Sequence, residues 1–236
     1  MSHSIPKPNF IKTILCLANS RKLSGRCIAG QEIGRGTPGA WIRPVSKREH
    51  QEVSERERQY VDGGDPSVLD VIDVPLIQPQ PHLFQKENWL LDPDFFWQRR
   101  TRMDWAGMQS FVEPDGTLWL NNQRSYSGLN DRVAMVQAEA LDSSLRLIHV
   151  RQLTIRVFRP GEAYNNPKRR VQGKFIHNGT QYWLWVTDPV YERHHLQKPD
   201  GEYQLGESCL TISLGEPHEG FAYKLIAAIV ERGETE

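Results

Sequence analysis

Thr13-Ile-Leu-Cys-Leu-Ala18 is an apolar run that leads directly into a cationic turn, Asn19-Ser-Arg-Lys-Leu-Ser-Gly-Arg26. A second apolar run and the segment Gly39-Ala-Trp-Ile-Arg-Pro-Val-Ser46 follow. Short apolar runs bounded by Gly, Pro, Asn or Asp are typical of β-strands. Residues 1–48 contain nine Lys or Arg and one acid, Glu32, and carry a net charge of +8. This part of the sequence therefore predicts strands with a basic surface at their ends.

Charge is arranged in blocks along this chain of 236 residues, although its formal net charge is zero. Residues 49–75 contain eight acids and two bases, a net charge of −6, whereas residues 146–176 contain eight bases and one acid, a net charge of +7. Lys and Arg clustered near exposed aromatic rings are suited to hold phosphates and to stack bases. The alternative is that the arginines form a solvated rim and that Trp41 belongs to the core. The two basic blocks predict two similar nucleic-acid sites or one shared groove.

The sequence predicts a mostly β protein with few helices. Segments rich in β-branched and aromatic residues indicate strands, at 13–18, 26–33, 40–45, 68–77, 118–121, 146–158, 171–177, 181–187, 208–214 and 223–230. Asn178-Gly179 supplies two residues that tolerate positive φ, and it predicts a tight hairpin. Two helices are expected at 46–60, where Ser54 and Glu57 form a capping pattern, and at 94–109.

Short strands with charged connections favour two small barrels over one open sheet, because a barrel leaves no exposed strand edges. We expect a first barrel with a long insertion at 10–136 and a second barrel at 145–233. The polar segment 137–144 would join them.

Several classes of protein are disfavoured. The cysteines Cys16, Cys27 and Cys209 are odd in number and form no Cys-x-x-Cys pair, which favours free thiols over disulfides or a zinc site. No catalytic motif is readable, so we expect no cofactor, and a binding protein is favoured over an enzyme. No apolar run approaches the roughly 18 residues of a membrane span, and the first residues do not resemble a secretory signal. We expect a cytoplasmic protein with no membrane partner.

The segment Tyr182-Trp-Leu-Trp-Val-Thr-Asp-Pro189 combines an aromatic strand with an abrupt stop. Pro189 holds Asp188 extended, so we expect the Asp188 carboxylate to accept backbone amides of the following turn. The functional alternative places Thr187 and Asp188 at a pocket where a ring stacks on Tyr182 or Trp185. Alternate residues of a strand share a face, so one face must be core and only the other can bind.

Lys224 interrupts the apolar run of the last strand. A lysine there must extend its amine to solvent or meet a counter-charge, and Asp188 is the candidate partner. The pair would be a stabilising ion pair or would present a positive group to a phosphate.

Six short motifs occur in order along nearly the whole chain: Ile14-Leu-Cys-Leu-Ala-Asn-Ser-Arg-Lys22, Gly25-Arg-Cys-Ile-Ala-Gly30, Trp41-Ile-Arg-Pro-Val-Ser46, Glu87-Asn88 before Trp89, Val186-Thr-Asp-Pro189 and Tyr223-Lys-Leu-Ile-Ala-Ala228. As a set they resemble the dual OB-containing domain family of prokaryotic proteins. The resemblance implies a mostly β fold of two consecutive small OB-like barrels with short helical insertions. It also implies a role in nucleic-acid recognition, in anti-phage or other conflict systems, and it brings no established reaction.

The candidate site combines residues that match these motifs with others of the basic blocks: Asn19, Arg21, Lys22, Arg26, Trp41, Arg43, Arg169, Asp188 and Lys224. We expect these residues to bind single-stranded or structured nucleic acid, and we expect no metal. One alternative is an enzyme or sensor that holds a nucleotide or modified base between the barrels, at Asn19, Arg43, Asp188 and Lys224. Another is a scaffold whose charge blocks meet partner proteins, which the neutral net charge favours.

Overall fold

A computed structural model describes residues 7–34, 37–114 and 116–234. The strands are β1 (Phe10–Lys22), β2 (Gly25–Ile33), β3 (Pro38–Val45), β4 (Asp70–Pro79), β5 (Asn88–Leu91), β6 (Gln98–Arg102), β7 (Arg132–Ala134), β8 (Leu145–Val150), β9 (Leu153–Phe158), β10 (Arg170–His177), β11 (Thr180–Val186), β12 (Gly201–Leu205), β13 (Ser208–Leu214) and β14 (Phe221–Glu231). The helices are α1 (Glu55–Arg58), α2 (Trp105–Gln109), α3 (Met135–Ala138) and α4 (Pro189–Leu196). The prediction of a mostly β chain is confirmed.

The first six strands build a closed barrel. Their order is β1-β2-β3-β5-β4, β4 pairs back onto β1, and β6 extends the edge of β4. β3 and β5 run parallel, while the other pairs are antiparallel. This is a five-stranded Greek-key barrel of the OB type.

The later strands repeat this arrangement in a second barrel. β8 and β9 are separated only by Arg151 and Gln152, and they lie at the two ends of the order β9-β10-β11-β14-β13-β8, so they act as one bent first strand. β11 and β14 form the parallel pair that corresponds to β3 and β5. β12 extends the edge of β9, and β7 pairs with β14. The expectation of two consecutive OB-like barrels with short helical insertions is confirmed.

Each barrel has its own apolar core, and a third apolar cluster lies between the barrels. In β1, Ile14 points into the first barrel, whereas Leu15 points outward. The outward residues of β1 share a cluster with side chains of the second barrel, among them Leu147, Cys209 and Val230. β1 is therefore buried on both faces, which explains why its sequence is a continuous apolar run and not an alternating one.

Local backbone chemistry predicts the tight hairpin correctly. Asn178 and Gly179 have φ values of 46° and 72°, and β10 pairs with β11 around them. The prediction of a strand at 118–121 is wrong, because Trp119 has a φ of 55° and the segment is irregular. The apolar character of Leu118 and Trp119 reflects burial in the core of the second barrel and not membership of a strand.

Both predicted helices are shorter than expected. Segment 46–60 contains only α1, although Ser54 and Glu57 form the expected capping box. Segment 94–109 contains β6 and the short α2, because β6 pairs with β4 and Trp97 is buried in the first barrel. Tertiary pairing thus overrides the helical pattern. Within the described residues, no helix has the length and apolar character needed to cross a membrane.

Residues 117–134 contact the second barrel. Leu129 and Trp183 exchange backbone hydrogen bonds of 3.3 and 3.1 Å, and β7 pairs with β14. The domain limits of 10–136 and 145–233 remain a prediction, and these contacts favour an earlier end for the first unit.

Candidate nucleic-acid interface

The outer face of β9, β10 and β11 combines aromatic and basic side chains. In β11, Tyr182 and Leu184 are fully buried in the barrel core, whereas Trp183 and Trp185 lie on the opposite face and are partly exposed. The alternation of this strand therefore assigns Tyr182 to the core. Of the two rings considered for stacking, only that of Trp185 faces outward.

Trp185 lies at the centre of a layered contact. The guanidinium carbon of Arg170 is 4.1 Å from the Trp185 ring centroid. On the same outer surface of the sheet, Phe158 stacks against Trp185, with ring centroids 5.9 Å apart and ring planes 14° from parallel. The guanidinium carbon of Arg156 in turn lies 4.0 Å from the Phe158 ring centroid. Cations held over aromatic faces in this way are attracted by the ring quadrupole.

Lys174 and Trp183 extend this arrangement along the sheet. The Lys174 Nζ is 4.9 Å from the Trp183 ring centroid and donates a hydrogen bond of 2.5 Å to Glu202 Oε1. This hydrogen bond and the charge of Lys174 lower the pKa of Glu202. We call the cationic and aromatic side chains of this surface the basic–aromatic face: Arg156, Phe158, Arg170, Lys174, Trp183 and Trp185.

A groove lies at each end of the basic–aromatic face. One has a volume of about 450 Å³ and is lined in part by Tyr126 and Trp185. Tyr126 is 79% exposed and meets Tyr164 edge to face, with ring centroids 5.8 Å apart. The other has a volume of about 950 Å³ and is lined in part by Lys174 and Trp183. The face thus lies between two concave regions, and the buried side chain of Gln172 lies between Arg170 and Lys174 on β10.

The two basic blocks of the sequence approach each other at Glu192 of α4. The Arg21 Nη2 lies 3.1 Å from Glu192 Oε1, and the Arg21 side chain is 55% exposed. Burial lowers the pKa of Arg170, with a smaller upward effect from Glu192 and a downward one from Arg21. Arg21 therefore borders the basic–aromatic face from the side of the first barrel.

Two barrels with the same strand order, one of which carries the basic–aromatic face, agree with the resemblance of the sequence to the dual OB-containing domain family. The family model described as dual OB-containing domain matches residues 12–229. The chain belongs to the dual OB-containing domain family. No curated protein and no solved structure matches it. Membership of the dual OB family accounts for both barrels.

In this member of the dual OB family, the described residues of the second and third strands of the first barrel do not form an equivalent face. OB barrels bind oligonucleotides on their second and third strands, which in the first barrel are β2 and β3. Trp41 of β3 is 8% exposed, belongs to the apolar cluster between the barrels, and donates from Nε1 to Glu113 Oε1 at 2.8 Å. The expectation that Trp41 stacks bases is therefore corrected, because the second barrel covers this side of the first.

Arg43 is buried in the same interface. Its Nη2 lies 3.0 Å from Glu87 Oε1 and 2.9 Å from Ser144 Oγ. The Ser144 hydroxyl also donates to Glu87. Arg43 and Glu87 belong to the first barrel, whereas Ser144 directly precedes β8 of the second. In this structure Arg43 joins the two barrels, and its guanidinium has no open path to a nucleic-acid backbone.

Asp188 caps α4, as the sequence predicts. Val190 and Tyr191 donate their backbone N–H groups to Asp188 Oδ1 at 2.9 and 3.3 Å, and Ile229 donates to Oδ2 at 3.1 Å. Burial raises the pKa of Asp188 by more than these donors lower it. The carboxylate is occupied by backbone amides, which leaves it a structural role.

The expected ion pair between Lys224 and Asp188 is not formed. Lys224 is fully buried, and its Nζ donates to Leu120 O at 2.7 Å and to Asn121 Oδ1 at 3.1 Å. Burial lowers the pKa of Lys224 to about 7. The lysine fastens the irregular segment around residue 120 to β14, so it does not present its charge to a phosphate.

Three other predicted site residues have side-chain partners within the fold, and a fourth, Arg26, is partly buried. Asn19 Nδ2 donates to Pro66 O at 2.6 Å, and Lys22 Nζ lies 2.7 Å from Glu216 Oε1. Arg169 donates to Leu196 O at the end of α4 and to Asp200, at 2.8 and 2.6 Å. Arg26 is partly buried, and burial lowers its pKa.

Three of the predicted residues meet at one place. Arg21, Lys22 and Arg43 all line a cavity of about 550 Å³ between the barrels. Asn19, Asp188 and Lys224 are not among its described lining residues, which corrects the composition expected for an inter-barrel pocket.

The sequence-based site residues did not include the basic–aromatic face. The second basic block contains Arg156, Arg170 and Lys174, and the alternation of β11 separates Trp183 from Tyr182. What the sequence does not give is the register that sets Arg170 opposite Phe158 and Lys174 opposite Trp183. Only that cross-strand pairing turns two distant segments into one surface.

Proposed function

We propose that this member of the dual OB family binds nucleic acid through the basic–aromatic face of its second barrel. The observation that carries the proposal is the layered contact in which Arg170 covers Trp185 and Trp185 stacks on Phe158. The face lies on β10 and β11, which are the second and third strands of this OB barrel. Single-stranded segments, alone or in the loops of a structured molecule, are the form whose bases can reach it.

The aromatic rings supply platforms for bases. Trp183 and Trp185 are two positions apart on β11, a separation of about 6.6 Å along the strand. Arg170 and Lys174 lie over these rings, so a base reaches either position by stacking on the guanidinium of Arg170 or by displacing the cation from the ring. Each stacked base contributes about 1–3 kcal/mol with little preference for sequence.

The cations supply contacts to the phosphates. Arg156 and Arg170 present planar guanidinium groups, which both pair with phosphate oxygens and stack on rings. Lys174 already has a partner in Glu202, so an incoming phosphate competes with that carboxylate. Binding through these groups releases counterions, and its affinity falls as salt concentration rises.

The proposal is for one composite site and not for two similar ones. Trp41 and Arg43 of the first barrel are buried, whereas Arg21 is exposed beside Glu192 at the border of the face. Arg21 would add a basic rim to the site of the second barrel.

Substitution of Trp183 tests the proposal. Trp183→Ala should weaken binding of a labelled single-stranded oligonucleotide about tenfold in an anisotropy titration, which is about 1.4 kcal/mol. Trp89→Ala is the matched control, because Trp89 is also partly exposed and has a lysine, Lys12, with its Nζ 4.7 Å from the ring centroid. The control should bind like the parent. Equal affinities for Trp183→Ala and the parent would contradict the proposal.

The resemblance to the family extends this proposal to a sensor or accessory component of a prokaryotic defence system. A protein-interaction scaffold is the competing function, but half of the eight acids of residues 49–75 already pair with arginines of the chain. The acids of residues 49–75 that pair with arginines are Glu52, Asp65, Asp70 and Asp73. A pull-down from host lysate with and without nuclease separates the two functions, because partners that survive nuclease treatment would favour the scaffold.

A further inference from the structure

A cavity of about 550 Å³ lies between the two barrels at the end of β1. Its wall includes residues 20–23, 49–51, 82 and 85 of the first barrel and residues 213–217 of the second. Beside it the backbone N–H of Arg21 donates to Thr187 O at 3.1 Å, which joins the barrels at this level. Small-molecule sites occur preferentially at such junctions, with volumes of about 300–1,000 Å³.

The lining combines an apolar side with a few polar groups. The apolar side chains are Leu23, Cys27, Leu214, Pro217 and Leu225. Gln51 and Gln85 also line the cavity, and each amide can both donate and accept hydrogen bonds. This combination suits a ligand with an apolar or planar body and a polar edge.

The cavity surface carries more cationic than anionic side chains. Its described lining includes Arg21, Lys22 and Arg43 against Glu49 and Glu216, while Glu192 and Glu87, the partners of Arg21 and Arg43, lie outside the lining. Lys22 pairs with Glu216, whose side chain is 50% exposed and can give way to another anion. An exposed partner of this kind contributes little to stability, so its displacement costs little.

Arg43 adds an observation of a different kind. Its side chain is buried and lines the cavity, and its Nε has no hydrogen-bond acceptor among the described residues. A buried N–H without an acceptor is unfavourable, and a bound acceptor atom would remove that cost. Arg43 thus places a buried donor without an acceptor among the described residues beside the cavity.

We propose that this cavity binds a small phosphate-bearing molecule of mononucleotide size. Its body would lie against Leu23, Leu214 and Leu225, and its polar edge would meet the two glutamine amides. The phosphate would contact Lys22 in place of Glu216, and Arg21 in competition with Glu192. None of the six residues of the basic–aromatic face lines the cavity, and Arg21 is the one residue that both proposals use.

The first experiment uses the full chain and single compounds. AMP, GMP, CMP, UMP, adenosine and inorganic phosphate are titrated separately, with melting temperature and isothermal calorimetry as readouts. At least one mononucleotide should raise the melting temperature in a concentration-dependent way, because a ligand that binds only the folded state stabilises it. Adenosine and inorganic phosphate should give much smaller shifts in melting temperature, since adenosine lacks the phosphate and inorganic phosphate lacks the planar body.

Two substitutions locate the bound molecule. Lys22→Gln should weaken mononucleotide binding about tenfold through loss of one charged contact. Lys12→Gln is the matched control, because Lys12 and Lys22 are 19% and 17% exposed and lie 2.9 and 2.7 Å from a glutamate oxygen. Leu23 is 65% exposed at the mouth, so Leu23→Trp should obstruct the cavity without disturbing a core.

The results separate this inference from the proposed function. Trp183→Ala should bind the mononucleotide like the parent while losing affinity for oligonucleotides. The inference is overturned if no mononucleotide binds at millimolar concentration, or if inorganic phosphate alone gives the full shift. It is also overturned if Lys22→Gln and Leu23→Trp both bind like the parent, or if Trp183→Ala abolishes mononucleotide binding.

Discussion

The guanidinium of Arg170 covers the indole ring of Trp185, 4.1 Å from its centroid, on an outward-facing surface of the second barrel. The two residues come from β10 and β11, and the charges of Glu192 and Arg21 also affect the pKa of Arg170. A cation, an aromatic platform and the border of the first barrel therefore coincide at this point. Nucleic-acid binding should be most sensitive here.

Arg170→Gln should lower both the affinity for a single-stranded oligonucleotide and its dependence on salt. Loss of one phosphate contact reduces the slope of log affinity against log salt by about 1. Anisotropy titrations at several salt concentrations measure this slope. Arg99→Gln is a control on the first barrel, where the Arg99 guanidinium lies 5.9 Å from the Tyr60 ring centroid. An unchanged slope in Arg170→Gln would place the phosphate contacts elsewhere.

Arg43→Ala should destabilise the protein strongly. It leaves Glu87 as a buried carboxylate without its ion-pair partner, and breaking a buried pair in this way costs about 3–5 kcal/mol. Urea unfolding followed by circular dichroism measures the change. Arg232→Ala removes a surface pair with Glu207 and should change the free energy of unfolding little. If both variants unfold at the same urea concentration, Arg43 does not hold the interface.

Lys224 should make stability depend on pH. Burial lowers its pKa from 10.5 to about 7 in the folded protein, so the unfolded chain binds more protons between these values. The free energy of unfolding of the parent therefore rises with pH in this window, and Lys224→Met lacks that rise. Below about pH 7 the amine is protonated in both states and its contribution no longer changes. The measured quantity is the difference in unfolding free energy between parent and variant.

A control for this pH series is Lys168→Met, since Lys168 is exposed. Its difference from the parent should stay constant with pH. If the difference for Lys224→Met also stayed constant from about pH 7 to about pH 10, the amine would not be the titrating group.

Features that depend on neighbours in the chain are predictable from this sequence. The hairpin at Asn178-Gly179 requires only two residues that accept positive φ. The capping box at Ser54 and the cap at Asp188 likewise depend on groups within three residues along the chain. Local chemistry fixes these features before any tertiary contact forms.

The roles of Trp41 and Arg43 are not predictable in this way. An arginine and a tryptophan in a basic segment have the composition of a nucleic-acid site, but here a second barrel packs over them. That packing joins residues about a hundred positions apart, such as Arg43 and Ser144. β1 signals its two-sided burial by a continuous apolar run, but around Trp41 and Arg43 no local pattern in the sequence distinguishes a strand face that meets solvent from one that meets another barrel.

The two-sided burial of β1 makes tolerance to change unequal across the molecule. A substitution at Leu15 or Leu17 disturbs the wall that both barrels share. A substitution at Trp183 or Arg170 alters an outer surface and leaves both apolar cores intact. New binding preferences can therefore arise on β10 and β11 without loss of folding. The first barrel supports this surface through the apolar cluster that it shares with the second barrel.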